Sequence, residues 1–321
     1  MPRTGPPGRP PQPAAGAPQG PPPPQAWGPP GGPGDGGGYA SPIPVVRTHL
    51  GHAIASEWTK IRSVRSTVWT LGIMFLLVVG IGFLTALGLS GDDDGYVDMP
   101  LLGGGLFGLM LGQLAIITLG VLVITSEYGT GMIRTTMTAC PRRGRVLLAK
   151  GLIFFGLAFV MTTAACSLTA LINSALLGGQ TVGPDQYVPE NLRESVQDGE
   201  LVATGGEWLG ATVGAGLYVA LLGLLSLAVG AMLRHSAGAI TTMMGVVLLP
   251  LVLALFMQGE SLRDVQEALL EYSPLNGLAS LFHMPMQGEG DATGWPLLGL
   301  LALVTAAALA GAQALLAKRD V

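Results

Sequence analysis

Charge is scarce in this 321-residue chain: 11% of its residues are Asp, Glu, Lys or Arg, against about 25% in an ordinary soluble domain. Lysine is scarcest, with only Lys60, Lys150 and Lys318, preceded by Thr59, Ala149 and Ala317. A phosphate-cradling glycine loop ends in Gly-Lys, so none of the three can belong to one, and the chain is not expected to hydrolyse ATP itself. There are two cysteines, Cys140 in a basic loop and Cys166 in an apolar run. They fall on different sides of a membrane boundary, which excludes a disulfide framework. Metal ligands are few as well. His49 and His52 lie three apart on one helical face, but zinc needs a third and a fourth ligand, and Asp92 to Asp98 lacks the register of a calcium loop.

What the chain has in abundance is apolar side chains, 49% of the total, and glycine, 49 residues. Proline is uneven: of 24, sixteen precede Val45. Residues 1–44 are therefore read as a disordered Pro/Gly-rich tail, since such a composition buries too little apolar surface to offset chain entropy. Within it, Pro21 to Pro24 could form a polyproline II stretch. Residues 45–321 form the second domain. From Val46, apolar residues recur at steps of three and four (Leu50, Ile54, Trp58, Ile61, Val64, Val68), while Arg47, His52, Lys60, Arg62 and Arg65 fall largely off that stripe. This predicts an amphipathic helix lying in the membrane interface.

A helix crosses a bilayer with about 20 apolar residues. Six stretches satisfy this: Thr67 to Leu89, Leu101 to Thr125, Gly151 to Leu177, Trp208 to Leu233, Ala237 to Gln258 and Trp295 to Ala317. The expected fold is an all-α integral membrane protein, a six-span bundle preceded by the interfacial helix and the tail. The first span begins after a long polar leader and acts as an uncleaved anchor. Leaving out Arg3 and Arg9, 12 of the remaining 14 Lys and Arg fall on one side of this topology, and 16 of the 20 carboxylates on the other. Cation-rich loops stay inside, so both termini are expected in the cytoplasm. Small residues recur four apart at Gly104, Gly108 and Gly112, at Gly206, Gly210 and Gly214, and at Ala302, Ala306, Ala310 and Ala314. That spacing permits close helix approach, within one chain or between two.

Chemistry inside the spans is sparse. None has an ionisable side chain near its centre, which argues against proton coupling; Gln113 and Asn173 are read as interhelical hydrogen-bond partners. Gly88-Leu89-Ser90-Gly91 matches the serine motif of intramembrane proteases, but no histidine stands at matching depth, so a turn closing a helix explains it better. Between Gly259 and Gly294, Leu262, Val265, Leu269 and Leu270 predict a short amphipathic helix. Tyr272 to Phe282 is too apolar for a free loop and too short to span, and is read as a re-entrant or interfacial element sealing one mouth of the bundle.

The most informative segment is Thr125 to Lys150. It places Glu127 and Tyr128 just past the second span, then Gly129, a short helix at about Thr130 to Thr138 that includes Arg134, a break at Pro141, and a basic run into the third span. Its Glu-Tyr-x-x-Gly opening, its Arg-Thr-Thr stretch and its closing Pro-Arg-Arg-Gly-Arg-x-Leu-x-x-Lys resemble the membrane subunit, or permease, of type 2 ABC transporters. Actinobacterial exporters are the nearest kind. Ser56 to Thr67 resembles the interfacial elbow helix of those proteins, and the resemblance covers roughly Val46 to Val321. It implies a transport subunit rather than an enzyme, exporting a substrate across the plasma membrane. ATP would be bound by a separate ATPase subunit, and no cofactor is expected on this chain. The partners implied are that ATPase, a second permease in a homo- or heterodimer, and membrane lipids, with no nucleic acid. The helix in the loop would be the coupling helix seated on the ATPase, and Glu127, Tyr128, Gly129, Thr130, Arg134 and Pro141 its site residues. The alternative is a secondary or passive transporter that works without an ATPase.

Overall fold

The computed structural model describes residues 49–90, 99–139, 143–182, 188–257, 259–286 and 294–318. The readings made of residues 1–44, of Asp92 to Asp98, of Cys140 and of Pro141 lie outside these. Six helices are long and apolar enough to cross a membrane, and the chain folds as an all-α bundle of membrane type. They are α2 (Arg65–Leu89), α3 (Gly104–Gly129), α5 (Arg143–Leu177), the continuous helix Gly205–Leu233, α8 (Ser236–Phe256) and α11 (Trp295–Lys318). The fourth consists of α6 (Gly205–Leu209), a π-helical turn at Gly210–Gly214, and α7 (Ala215–Leu233). A helix α1 (Leu50–Ser63) precedes them, and α4 (Met132–Ala139), α9 (Arg263–Glu271) and α10 (Pro274–Leu281) are shorter. A two-stranded hairpin, β1 (Val196–Gln197) with β2 (Glu200–Leu201), is the one sheet among the described residues.

Helix ends follow local chemistry. Val64, with extended backbone (ψ 106°), separates α1 from α2. Ser90 closes α2, its backbone N–H donating to the Ala86 carbonyl at 2.9 Å and its hydroxyl to that of Leu87 at 3.0 Å, so the serine stands at a helix end, as expected. The turn from α7 to α8 is tight, with Arg234 and His235 alone between the helices. Arg234 is left-handed (φ 55°), and the His235 ring nitrogen Nδ1 accepts from the Gly238 N–H at 3.0 Å to cap α8.

In lipid, helices associate through packing, and small residues set how near the backbones come. The α3 stripe is used within the chain. A Cβ on Gly108 would lie 2.7 Å from the Val78 Cα, and one on Gly112 would lie 2.9 Å from its Cγ2, so α2 crosses α3 here. About two turns further on, Gly120 of α3 faces Gly223 and Ser226 of α7, and the Ser226 hydroxyl donates to the Ile117 carbonyl at 2.9 Å. Thr169 of α5 donates to the Val78 carbonyl at 3.4 Å. Short hydroxyls at glycine crossings therefore make the interhelical hydrogen bonds expected of Gln113 and Asn173. Gln113 is fully buried and donates only at 3.4 Å to Met110 of its own helix. Asn173 is a packing residue, its amide filling the space beside Gly104 (2.6 Å to a Cβ built there) without a hydrogen-bond partner among the described residues. The alanine stripe of α11 differs again. Leu301, Thr305, Ala312 and Leu316 pack inward, whereas Ala306, Ala310 and Ala314 are exposed.

At the end of the bundle remote from α1, α10 is buried from Leu275 to Leu281. Ser273 caps it, accepting from the Asn276 N–H at 3.0 Å, and Pro274 occupies its first turn, where the missing N–H costs nothing. Asn276 fastens the segment at both sides: its amide donates to the Glu271 carbonyl at 2.9 Å and its oxygen accepts from the Met286 N–H at 2.7 Å. The helix lies against the fourth span where the backbone is π-helical, with the Leu281 carbonyl over Gly210 and the Tyr218 ring against Gly277. From Ser273 to Phe282 the apolar segment is thus a packed element, while Tyr272 before it is exposed. The preceding α9 carries Val265 outward and Leu270 inward.

Candidate functional site

Four charges meet where α1, the end of α3 and the start of α5 converge. The Lys150 ammonium contacts Glu57 Oε2 at 2.6 Å and Glu127 Oε1 at 2.9 Å; the Lys60 ammonium contacts Glu57 Oε1 at 2.8 Å and the same Glu127 Oε1 at 3.1 Å. The two carboxylates and two ammonium groups alternate in a closed, neutral ring. Glu57, Glu127 and Lys150 are 3%, 5% and 2% exposed, while the Lys60 side chain keeps 29% of its surface. Isolated charges would not survive such burial, but alternation gives each ion two opposite neighbours; both ammonium groups meet the same Glu127 oxygen, and its Oε2 has no hydrogen-bond partner among the described residues. For Lys60, burial alone would push the ammonium pKa down. The hydrogen bond to Glu57 and the charges of Glu57 and Glu127 outweigh this, and the net value lies above the ordinary 10.5.

The position of each member follows from its helix. Glu57 and Lys60 are three apart on α1 and share its inward side, with Ile61 beside them. That arrangement inverts the usual amphipathic helix: the charges Glu57 and Lys60 turn to the protein, while Leu50, Trp58 and Val64 are exposed. Glu127 and Tyr128 follow the apolar run that ends at Thr125. The helix runs on through Gly129, so both stand in its last turn, and α5 begins at Arg143, so Lys150 lies two turns inside it. The charges do not end these helices because each has its counter-ion there.

Of the residues expected to form the coupling loop, Glu127 joins the ring and Tyr128 stacks beneath the Arg234 guanidinium, 5.2 Å from the ring centroid. Gly129 ends α3 with nothing near its Cα, and Thr130 caps it, its hydroxyl donating to the Ser126 carbonyl at 2.8 Å. The conformationally demanding glycine is the next one, Gly131, at φ +72°, where the chain reverses into α4. The short helix is Met132–Ala139, two residues later than expected at its start. It is anchored by Ile133, which is 4% exposed, with Met132 and Thr135 facing outward. Arg134 lies on α4; its side chain, like Pro141, is outside the described residues.

Sequence reasoning passed over Glu57, Lys60, Lys150 and Arg234. A signal was present. On the cation-rich side of the helical region, Glu57 and Glu127 are the only carboxylates before the C-terminal Asp320, and a lone acid among cations invites the question of which ones it pairs with. No group of three or more His, Cys, Asp or Glu able to hold a metal occurs among the described residues; His49 and His52 merely stack, 3.8 Å apart. A third buried carboxylate, Glu207, sits at the other end of the bundle. It accepts from the Ser195 hydroxyl at 2.5 Å and the Thr204 N–H at 2.7 Å, completing a capping box at the start of the fourth span.

The two ammonium groups and two carboxylates of the ring are engaged with one another. What the ring does is mechanical: it fastens the two ends of the loop that carries α4 to each other and to α1. A scan against models of known protein families finds no match to this chain, and a search of curated proteins finds none either.

Proposed function

We propose that this chain is the membrane-embedded permease subunit of a type 2 ABC exporter, with its cation-rich end and both termini in the cytoplasm. A separate ATPase would press on α4, and closure of that ATPase would move the bundle. The observation that carries the reading is the buried ring of Glu57, Lys60, Glu127 and Lys150. A force applied to a short surface helix does work on a bundle only if the helix cannot swing freely. Here Glu127 stands a few residues before α4 and Lys150 a few turns after it, and both are clamped to one another and to α1. Displacement of α4 is therefore passed to α3 and α5 as rigid-body motion. The sequence features of Thr125 to Lys150 support the same assignment.

The test is purification of the tagged chain from its native membranes in mild detergent, with co-purifying proteins identified and their ATP hydrolysis measured. The expected result is a stoichiometric P-loop ATPase whose coupling to transport is lost in Glu127→Gln while membrane insertion is retained. A chain that comes out alone and moves cargo without ATP would replace this reading with that of a secondary transporter.

A further inference from the structure

The corner between α1 and α2 carries an arrangement that the ion-pair ring does not use. Trp58 and Arg62 lie one turn apart on α1, and Arg65 and Trp69 one turn apart on α2, with the break at Val64 between them. All four are exposed; the tryptophans keep 47% and 71% of their surface. Neither arginine has an ion-pair partner among the described residues, and the one carboxylate of this region, Glu57, is already committed to Lys60 and Lys150. Helix stability does not account for Arg65. It stands in the first turn of α2, where the helix dipole disfavours a cation, and no acidic residue accompanies it there.

An indole beside an uncompensated guanidinium, twice over at the foot of a membrane span, suits the boundary where acyl chains give way to headgroups. The indole takes the apolar side and the guanidinium a phosphate. We propose that this corner selects anionic phospholipid headgroups, with Arg62 and Arg65 holding the lipid phosphate and Trp58 and Trp69 seated among the upper acyl chains. Zwitterionic lipid satisfies the indoles equally well but returns less for the two positive charges, so the selectivity lies with the arginines. The inference requires that the chain cross a membrane and is independent of any ATPase.

The test uses the full chain carrying Trp27→Phe, Trp208→Phe and Trp295→Phe, so that Trp58 and Trp69 alone report, reconstituted in phosphatidylcholine vesicles. Phosphatidylglycerol or phosphatidylcholine brominated on the acyl chains is titrated in, and tryptophan quenching gives the relative association constant of the two lipids. Two arginines at a membrane surface should favour the anionic lipid by about 25-fold, roughly fivefold for each. The preference should shrink in Arg62→Gln, vanish in Arg62→Gln/Arg65→Gln, and fall as salt is raised toward about 1 M. Equal quenching by both lipids overturns the proposal, as does a preference that survives the double substitution. Failure of either lipid to quench would mean that protein, a second copy or another chain, covers the corner, and overturns it too. Should the double variant not insert, the salt dependence of the parent decides: a preference unmoved by salt refutes the assignment.

Discussion

Replacing Lys150 with methionine keeps the length and bulk of the side chain and removes one charge from the ring. Glu57 and Glu127, each at most 5% exposed, are then left with a single ammonium, that of Lys60, which lies 2.8 and 3.1 Å away. Breaking a buried ion pair from one side costs about 3–5 kcal/mol, because the remaining charge stays buried and uncompensated. At roughly 2–4 °C per kcal/mol, the fall in midpoint is on the order of 10 °C, readable by heating detergent-solubilised protein and following loss of the monodisperse species. Lys60 contacts the same two carboxylates but is partly solvated, so Lys60→Met should cost only about 1 kcal/mol and a few degrees. Glu57→Gln combined with Lys150→Met removes one charge of each sign and should recover much of the loss, with a coupling of about 1–3 kcal/mol. The pH dependence has a definite sign. The Lys60 pKa is raised in the fold, so its contribution is fully present below the ordinary lysine value of 10.5 and fades only as pH climbs through the higher folded value. Stability should therefore be flat in this respect near neutrality and decline in alkali. If Lys150→Met and Lys60→Met shift the midpoint equally, or if the Glu57 double variant is no better than Lys150→Met alone, the ring is not a buried cooperative unit and the reasoning fails.

Two further substitutions probe the elements around it. Gly108→Val places a branched side chain against the Val78 backbone, where a Cβ already meets Cα at 2.7 Å; α2 and α3 must separate, and the protein should aggregate in mild detergent. Gly80→Val on the same helix pair meets nothing within 4 Å and should behave as wild type in gel filtration. Gly131→Val forces a branched residue into φ +72°, a cost of roughly 1–2 kcal/mol, and should loosen α4 without disturbing the spans, seen as faster proteolysis between Gly129 and Lys150. Gly131→Asn, which tolerates that conformation, should restore resistance.

The six spans were legible because a bilayer imposes a length and a composition that the chain must meet locally. The starts and ends near charges were not. Glu127 reads as the close of a span if it is taken to face water; the helix runs on to Gly129, with Glu127 paired to Lys150. That pairing, and the one between Glu57 and Lys150 across 93 residues of sequence, is decided by which helices become neighbours, which no local pattern encodes. Glycine spacing found the α2–α3 crossing at Gly108 and the seat of α10 at Gly210, because close backbone approach needs a missing side chain wherever it occurs. The same spacing in alanine does not mark a contact within the chain at α11, where Leu301, Thr305, Ala312 and Leu316 pack inward and Ala306, Ala310 and Ala314 are exposed. The π-helical turn at Gly210–Gly214 carries no composition of its own. It arises where α10 presses on the helix, and so was invisible before the tertiary structure. In the loop between the second and third spans the short helix starts two residues later than its expected start at Thr130, because Gly131, the last residue of the Glu-Tyr-x-x-Gly motif, takes the left-handed turn before it.

The inward-facing charges of α1 set a problem of timing. Glu57 is synthesised 93 residues before Lys150, an interval of about 5–20 s at ordinary rates of translation. During it the first span (Arg65–Leu89) is made and threads into the bilayer, and the carboxylate at its foot has no long-range partner. Lys60, one turn away on the same helix and made within a fraction of a second, is the only cation positioned to hold Glu57 meanwhile. In the finished protein Lys60 is the most solvated member of the ring and contributes the least to its stability. During biogenesis it is the provisional counter-ion that keeps the acid from being stranded until α5 arrives, so its loss should tell more on the yield of inserted protein than on the stability of what is made.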